Sequence, residues 1–304
     1  MFRVVRLDGA GSGWLRYPPV AKRQRQRRKA KRGAPEKPTR VRWSAARWNA
    51  VLLAAAAAAL AALVYANTLN NPFVYDDRMT VLGNPSIRDL HQVSAVLLYD
   101  VFRPVVNISY AIDYRLWGLD PFGFHVTNLL LHVLNVVLVF VLALRLGGDR
   151  ERRDDPRPPD GGSSLILAWA TASLFAVHPL LTEAVGYVSG RSELLCTAFL
   201  LTAFLGLRRW LLEGRGWGLV GGLVCFVLAV ASKETAAMLP FMLVVYDWLL
   251  LGGHGDNRKR RNVLFHLPFV GVVVVAAAVR IAVYAGVEQG GRVQDLWHNR
   301  LVEV

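Results

Sequence analysis

Long apolar runs separated by short polar connections dominate the chain from residue 49 onward. They lie at Asn49–Leu69, Val126–Leu146, Leu165–Val177, Leu194–Leu207, Trp217–Ala231, Ala236–Leu251 and Val263–Ala285. A helix needs roughly 20 apolar residues to cross the hydrocarbon core, so the pattern predicts an all-α membrane protein with about seven transmembrane helices. Three of the runs are short for a crossing. They are expected to be extended by polar ends, tilted in a thinned bilayer, or set as re-entrant segments. A cleaved signal peptide is the competing reading of the first run, with Val64-Tyr65-Ala66 as a small-residue cleavage site. Either way the following segment emerges on the far side.

Composition agrees with the pattern. Hydrophobic residues make up 54% of the 304, and mean hydropathy is +0.32. The net charge of +14 resembles a nucleic-acid footprint until its distribution is read. Residues 1–47 carry 15 of the 36 Lys and Arg, leaving 21 basic against 20 acidic residues beyond them. The stretch from Lys22 to Arg32 has no interleaved aromatics, so it lacks the stacking platform of a single-strand binder. Residues 1–48 therefore read as a disordered cytoplasmic tail attracted to anionic membrane lipids, with no nucleic-acid partner. Cys196 and Cys225 both fall in apolar runs and read as small packed hydrophobes.

Basic residues also orient the spans. With a cytoplasmic N-terminus, the cytoplasmic loops hold Arg145, Arg150, Arg152, Arg153 and Arg157, then Arg208, Arg209 and Arg215, then Arg258, Lys259, Arg260 and Arg261. The short far-side connections hold only Arg191 and Lys233. The loop 147–164, rich in Pro, Gly and mixed charge, reads as a flexible linker without chemistry.

Polar groups near a bilayer are costly and tend to be functional. They collect on the far side. The first extracytoplasmic loop, 70–125, opens with Asp76 and Asp77, where a carboxylate pair beside the membrane surface suits a general base; two solvated loop acids are the plainer reading. The same loop mixes aromatics with turn residues, as expected of amphipathic helices lying on the membrane. Asn107-Ile108-Ser109 within it fits a glycosylation sequon. The connection 178–193 holds His178, Glu183, Arg191 and Glu193. The spacing of His178 and Glu183 is not that of a helical metal-ligand pair, so hydrogen bonding or support is favoured over metal. Arg191 carries a planar fork that matches phosphate oxygens. Lys233 and Glu234 share one short turn, either as a structural pair or as a phosphate-binding Lys steadied by Glu. Arg280, late in the seventh run, either snorkels to the interface or meets an anionic ligand.

With those residues in view, the chain resembles the transmembrane-and-TPR O-mannosyltransferases and their bacterial relatives, membrane glycosyltransferases of the GT-C fold. The stretches that carry the resemblance are FVYDDRMTVLGNPSI (73–87), RPVVNISYAIDYRLWGLDPFGFHVTNLLLHVLN (103–135), HPLLTEAVGYVSGRSELL (178–195) and SKETAAMLPFMLVVYDWLL (232–250). The resemblance covers about residues 49–285 and implies a GT-C-like helical bundle there. It implies inverting transfer of a sugar, mannose above all, from a polyprenyl-phosphate carrier to a protein Ser or Thr hydroxyl on the extracytoplasmic side. It places the family's acidic pair at Asp76 and Asp77 as catalytic residues. Arg103, Arg191 and Lys233 become candidates for the donor phosphate, and His178, Glu183 and Glu234 supporting groups. No cofactor is implied with certainty, and a divalent cation stays open. A bacterial plasma membrane is the expected location, with the endoplasmic reticulum as alternative. The family continues into tetratricopeptide repeats; here residues 286–304 read as the start of a truncated extracytoplasmic loop. Two other classes compete. A transporter would place its ionisable groups at mid-membrane in repeated halves, whereas a non-catalytic scaffold would not bind the lipid donor.

Overall fold

Ten α-helices follow from these runs in the computed structural model, which describes residues 40–154, 162–214, 216–251 and 256–289. They are α1 (Arg40–Tyr65), α2 (Val93–Tyr99), α3 (Pro104–Trp117), α4 (Pro121–Asp154), α5 (Gly162–Ala176), α6 (Leu181–Gly186), α7 (Arg191–Glu213), α8 (Gly216–Val230), α9 (Leu239–Tyr246) and α10 (Asp256–Gln289). No strand occurs among the described residues. The expectations for the basic tail up to residue 39 and for residues 290–304 lie outside the described residues. The fold below is that of the unit Trp48–Val304.

Four helical stretches are long and apolar enough to cross a membrane: Arg47–Asn70, Pro121–Arg150, Arg191–Glu213 and His266–Val283. The chain is thus an all-α membrane protein. The remaining three expected spans differ. Gly162–Ala176 and Gly216–Val230 are shorter apolar helices of 15 residues each, which at 1.5 Å per residue reach only about 22 Å. The run Ala236–Leu251 is not one helix. It divides into a 3₁₀ turn (Glu234–Met238), α9 and a π turn (Asp247–Leu251), with Pro240 in the first turn of α9, where a missing N–H costs no hydrogen bond. The fourth run errs the other way: its helix, α7, extends to 23 residues.

Packing explains which helices meet. α7 lies against α8, α4 against α5, and α4 against α7. The α7–α8 seam is built on glycine: a Cβ on Gly218 would come within 2.6 Å of the Gly206 carbonyl oxygen. Small residues let helix backbones approach closely where apolar burial gives no advantage over lipid. Gly218→Leu is therefore expected to separate α7 from α8, at a cost of about 2 kcal/mol or more, read as a lower thermal midpoint in detergent. Alanines serve similarly where α1, α4 and α5 meet, with Ala57, Ala61, Ala168, Ala172 and Ala176 all buried.

The loop after α1 packs into a core it shares with the residues around the start of α7, where Val81, Ile87, Val96, Val106, Tyr110 and Phe124 meet Val188 and Leu195. α2 and α3 both form as helices within it. At the opposite end of α4, the stretch expected to be a flexible linker is helical where it is described. Residues 147–154 continue α4, and Asp149 accepts two hydrogen bonds from Arg208 and one of 2.9 Å from Tyr246. This buried bidentate pair ties α4, α7 and α9 together. Charge-mixed composition had hidden it.

Candidate functional site

A cavity of about 720 Å³ opens where the loop after α1, the α6–α7 connection and the turn before α9 converge. Its lining includes Asp76, Asp100, Arg103, Glu183, Glu193 and Lys233. Of the residues expected from sequence, it brings together Asp76, Arg103, Glu183 and Lys233. Asp77, His178, Arg191 and Glu234 do not line it.

Local geometry separates the two neighbouring aspartates. Tyr75 has φ +48°, a left-handed conformation costing about 1–3 kcal/mol in a non-glycine residue. The turn it makes leaves Asp76 exposed and Asp77 fully buried. The Asp77 carboxylate accepts backbone N–H bonds from Ser189 (2.7 Å), Val188 (3.3 Å) and Val74 (3.2 Å). It thereby clamps the first loop to the α6–α7 connection. That connection is itself tight: a Cβ on Gly190 would sit 2.5 Å from the Ala184 carbonyl oxygen, so only glycine fits. The Asp76 carboxylate, by contrast, makes no hydrogen bond or ion pair among the described residues, while its carbonyl accepts from Thr80 Oγ1 at 2.9 Å. Asp76 faces the cavity; Asp77 holds the rim on which it stands.

Arg191 departs furthest from its expected role. Its guanidinium is fully buried and lies 2.6 Å from Asp113. It also donates to Asn128 Oδ1 (2.8 Å), the Phe124 carbonyl (2.8 Å) and the Ser109 carbonyl (3.3 Å). The Tyr110 ring lies 4.8 Å away. Each of the three guanidinium nitrogens contacts protein and the side chain is fully buried, so a phosphate has no place there. His178 is exposed at the start of the α6 connection, where its ring nitrogen accepts the Leu180 N–H at 3.3 Å.

Lys233 and Glu234 do not pair with each other. Lys233 is extended, with φ −160° and ψ 145°, which sends neighbouring side chains to opposite sides. Lys233 instead donates to Glu193. Glu234 pairs with Arg103 at 3.6 Å and with Arg280 at 3.2 Å. Partial burial pushes the Glu234 carboxyl upward, but a backbone hydrogen bond and the charges of Arg103 and Arg280 outweigh it and hold the group below its ordinary value. A backbone bond from the Val105 N–H to the Ala231 carbonyl, 3.4 Å, brings Arg103 beside this turn.

The sequon is buried. Asn107 is 3% exposed and donates to the Val96 carbonyl (2.6 Å) and Ser86 Oγ (2.9 Å) while accepting from Asn84 (2.7 Å). Asn84 and Asn107 form part of the cavity wall. An amide so engaged cannot receive a glycan after folding. Glycosidase treatment of the expressed protein is expected to produce no gel shift attributable to Asn107, with Asn107→Gln as the reference. Tyr110, also in the wall, donates to the Val188 carbonyl at 3.1 Å. Burial pushes its hydroxyl well above the ordinary range, so it remains a donor.

Sequence reading overlooked Asp100, Tyr75, Tyr99 and Tyr187 as cavity residues. Asp100 accepts the N–H groups of Phe102 (3.1 Å) and Arg103 (3.2 Å), which orients the start of α3. No spacing marks it; an Asp four residues before the helix-opening Pro104 was the available signal. Among the described residues, no group of three or more His, Cys, Asp or Glu is disposed to hold a metal ion.

Comparison with known proteins places this geometry in context. The Drosophila melanogaster protein O-mannosyl-transferase Tmtc1 is 33% identical over 219 residues, 67% of this chain and 24% of the relative. Human protein O-mannosyl-transferase TMTC4 is 31% identical over 215 residues, 64% of this chain and 29% of the relative. Human TMTC1 is 30% identical over 239 residues, 68% of this chain and 25% of the relative. The chain therefore spans about a quarter of the length of these curated relatives. No family profile matches it, and no solved structure does. By sequence, then, the chain is a TMTC-like relative of the protein O-mannosyl-transferases.

Proposed function

We propose that the chain carries the donor-side half of a membrane glycosyltransferase, moving mannose from a polyprenyl-phosphate donor to a Ser or Thr hydroxyl of a protein on the extracytoplasmic side. The observation that carries this reading is a single cavity holding an uncommitted carboxylate, Asp76, together with Arg103 and Lys233. In this reaction the acceptor oxygen attacks the anomeric carbon as the bond from that carbon to the phosphate oxygen breaks. Asp76 takes the hydroxyl proton. The departing phosphate keeps the electron pair, and Arg103 and Lys233 neutralise its charge. The anomeric centre inverts. Asp77 acts through Asp76 as a positioning residue, because it fixes the loop without reaching the cavity.

Arg191 is not among the phosphate contacts in this reading; it supports the wall behind Tyr110. Glu183 lines the cavity and His178 caps the connection that carries it. The named relatives are all animal proteins, so a bacterial plasma membrane gains no support from them, and the endoplasmic reticulum alternative fits their source better. The test is an in vitro assay with labelled polyprenyl-phosphate-mannose and a Ser/Thr-rich acceptor peptide, using protein reconstituted in nanodiscs. Transfer that depends on Asp76 is expected. Equal transfer by wild type and Asp76→Asn would sink the catalytic assignment.

A further inference from the structure

We propose that Glu234 is an internal stand-in for a lipid-linked phosphate, occupying a two-arginine anion site made by Arg103 and Arg280. The inference rests on the donor reading above and adds a ligand contact and a regulatory contact to it.

One Glu234 oxygen faces Arg103 and the other faces Arg280, at 3.6 and 3.2 Å. A carboxylate spanned by two guanidinium groups has the charge and oxygen spacing of a phosphate held the same way. The three side chains are 38%, 48% and 26% exposed, in the order Arg103, Glu234, Arg280. Ion pairs this open contribute little to stability, too little to be the reason the turn folds and little enough to be displaced. The Arg280 guanidinium also lies 5.0 Å from the Phe102 ring, which keeps it beside Arg103 when the carboxylate moves away.

The cavity needs such a displacement. Its lining carries the carboxylates of Asp76, Asp100, Glu183 and Glu193 against the cations of Arg103 and Lys233. Both cations are already engaged, Lys233 by Glu193 and Arg103 by Glu234. An incoming phosphate finds a free positive site only by replacing one of these partners. Glu234 is the one outside the lining, with a second cation at its other oxygen.

The position of Arg280 favours a phosphate that arrives on a lipid. It sits in α10, within the apolar stretch His266–Val283, whose Val274, Val275, Val279 and Ile281 are exposed. Arg280 is thus a cation set within an apolar, membrane-length stretch and turned toward Arg103 and Glu234, where a phosphate carried on a prenyl chain in the same bilayer meets it. A soluble phosphate gains nothing from this setting.

The experiment measures binding rather than turnover. Full-length protein in zwitterionic nanodiscs is titrated with sugar-free polyprenyl phosphate, with polyprenol and inorganic phosphate as parallel probes, following tryptophan fluorescence. Arg280→Gln is expected to weaken polyprenyl phosphate binding about tenfold, and Glu234→Gln to tighten it about threefold to tenfold, given the strength of charge-assisted pairs. The double variant returns toward the Arg280→Gln value. Unchanged or weaker binding in Glu234→Gln, with an unaltered thermal midpoint, overturns the proposal; so does wild-type protein that binds none of the probes. Equal affinity for inorganic phosphate overturns the lipid-linked source. Wild-type binding that shifts as expected in a protein unable to transfer mannose would leave this inference standing and remove the transferase reading instead.

Discussion

Replacing Asp76 by Asn is expected to lower mannose transfer by about 10²–10⁴-fold while leaving the thermal midpoint and membrane insertion unchanged. Asn keeps the size of the side chain and removes the proton acceptor. Because the Asp76 carboxylate makes no hydrogen bond or ion pair among the described residues, its loss breaks none. Asp77→Asn has the opposite signature. It presents an NH₂ group, or a neutral oxygen, to backbone N–H donors that now meet a carboxylate, and leaving buried donors poorly matched costs about 1–3 kcal/mol. Its thermal midpoint should fall, with transfer lost in proportion to the displaced loop. Two measurements on each variant, turnover and melting, therefore assign the roles. Should Asp76→Asn melt early while Asp77→Asn stays stable and inactive, the roles proposed for the pair are reversed.

The largest stability effect is expected at Arg191. Arg191→Met leaves the buried Asp113 carboxylate without its cation and Asn128 and Phe124 without donors. Breaking one side of a buried ion pair costs about 3–5 kcal/mol, read here as a drop of roughly 10 °C in the thermal midpoint. Burial already pushes the Asp113 carboxyl above its ordinary value, against the pull of Arg191 and Thr127. Removing the arginine therefore drives Asp113 toward its neutral form rather than leaving a stable anion. Arg191→Lys should rescue little, since an ammonium cannot reach Asp113, Asn128 and the Phe124 carbonyl together. The double change Arg191→Met with Asp113→Leu should be milder than Arg191→Met alone. An Arg191→Met protein that melts like wild type but no longer binds polyprenyl phosphate would return Arg191 to the donor site.

Much of this architecture is legible in the chain itself. Apolar runs located the helices because a bilayer leaves few alternatives: each buried backbone group must bond within its own segment. Four runs became helices long enough to cross. The run Ala236–Leu251 did not, since hydropathy counts side chains and is blind to the break that Pro240 and the 3₁₀ and π turns introduce. Charge reading had a similar limit. It recognised that the loop after α1 and the two short connections carry the polar groups, but it paired Lys233 with Glu234 because they are adjacent. In an extended segment adjacency means opposite sides, and the partners came from α7, the residue before α3, and α10 instead.

The acidic pair illustrates the division most clearly. Two neighbouring aspartates after the first run are enough to mark the segment, because charged groups beside a bilayer are costly without a purpose. Which aspartate faces the cavity depends on the Tyr75 turn and on N–H donors from Val188 and Ser189, more than a hundred residues away. The same holds for Arg191, whose fork suits phosphate by chemistry but is filled by Asp113, Asn128 and Phe124 in the fold. Residue type and membrane proximity are local properties and can be read along the chain. Exposure and partnership arise from packing between distant segments, so the helical membrane class and the polar face were readable in advance, whereas the separate duties of Asp76, Asp77, Arg191 and Glu234 follow from contacts across the folded chain.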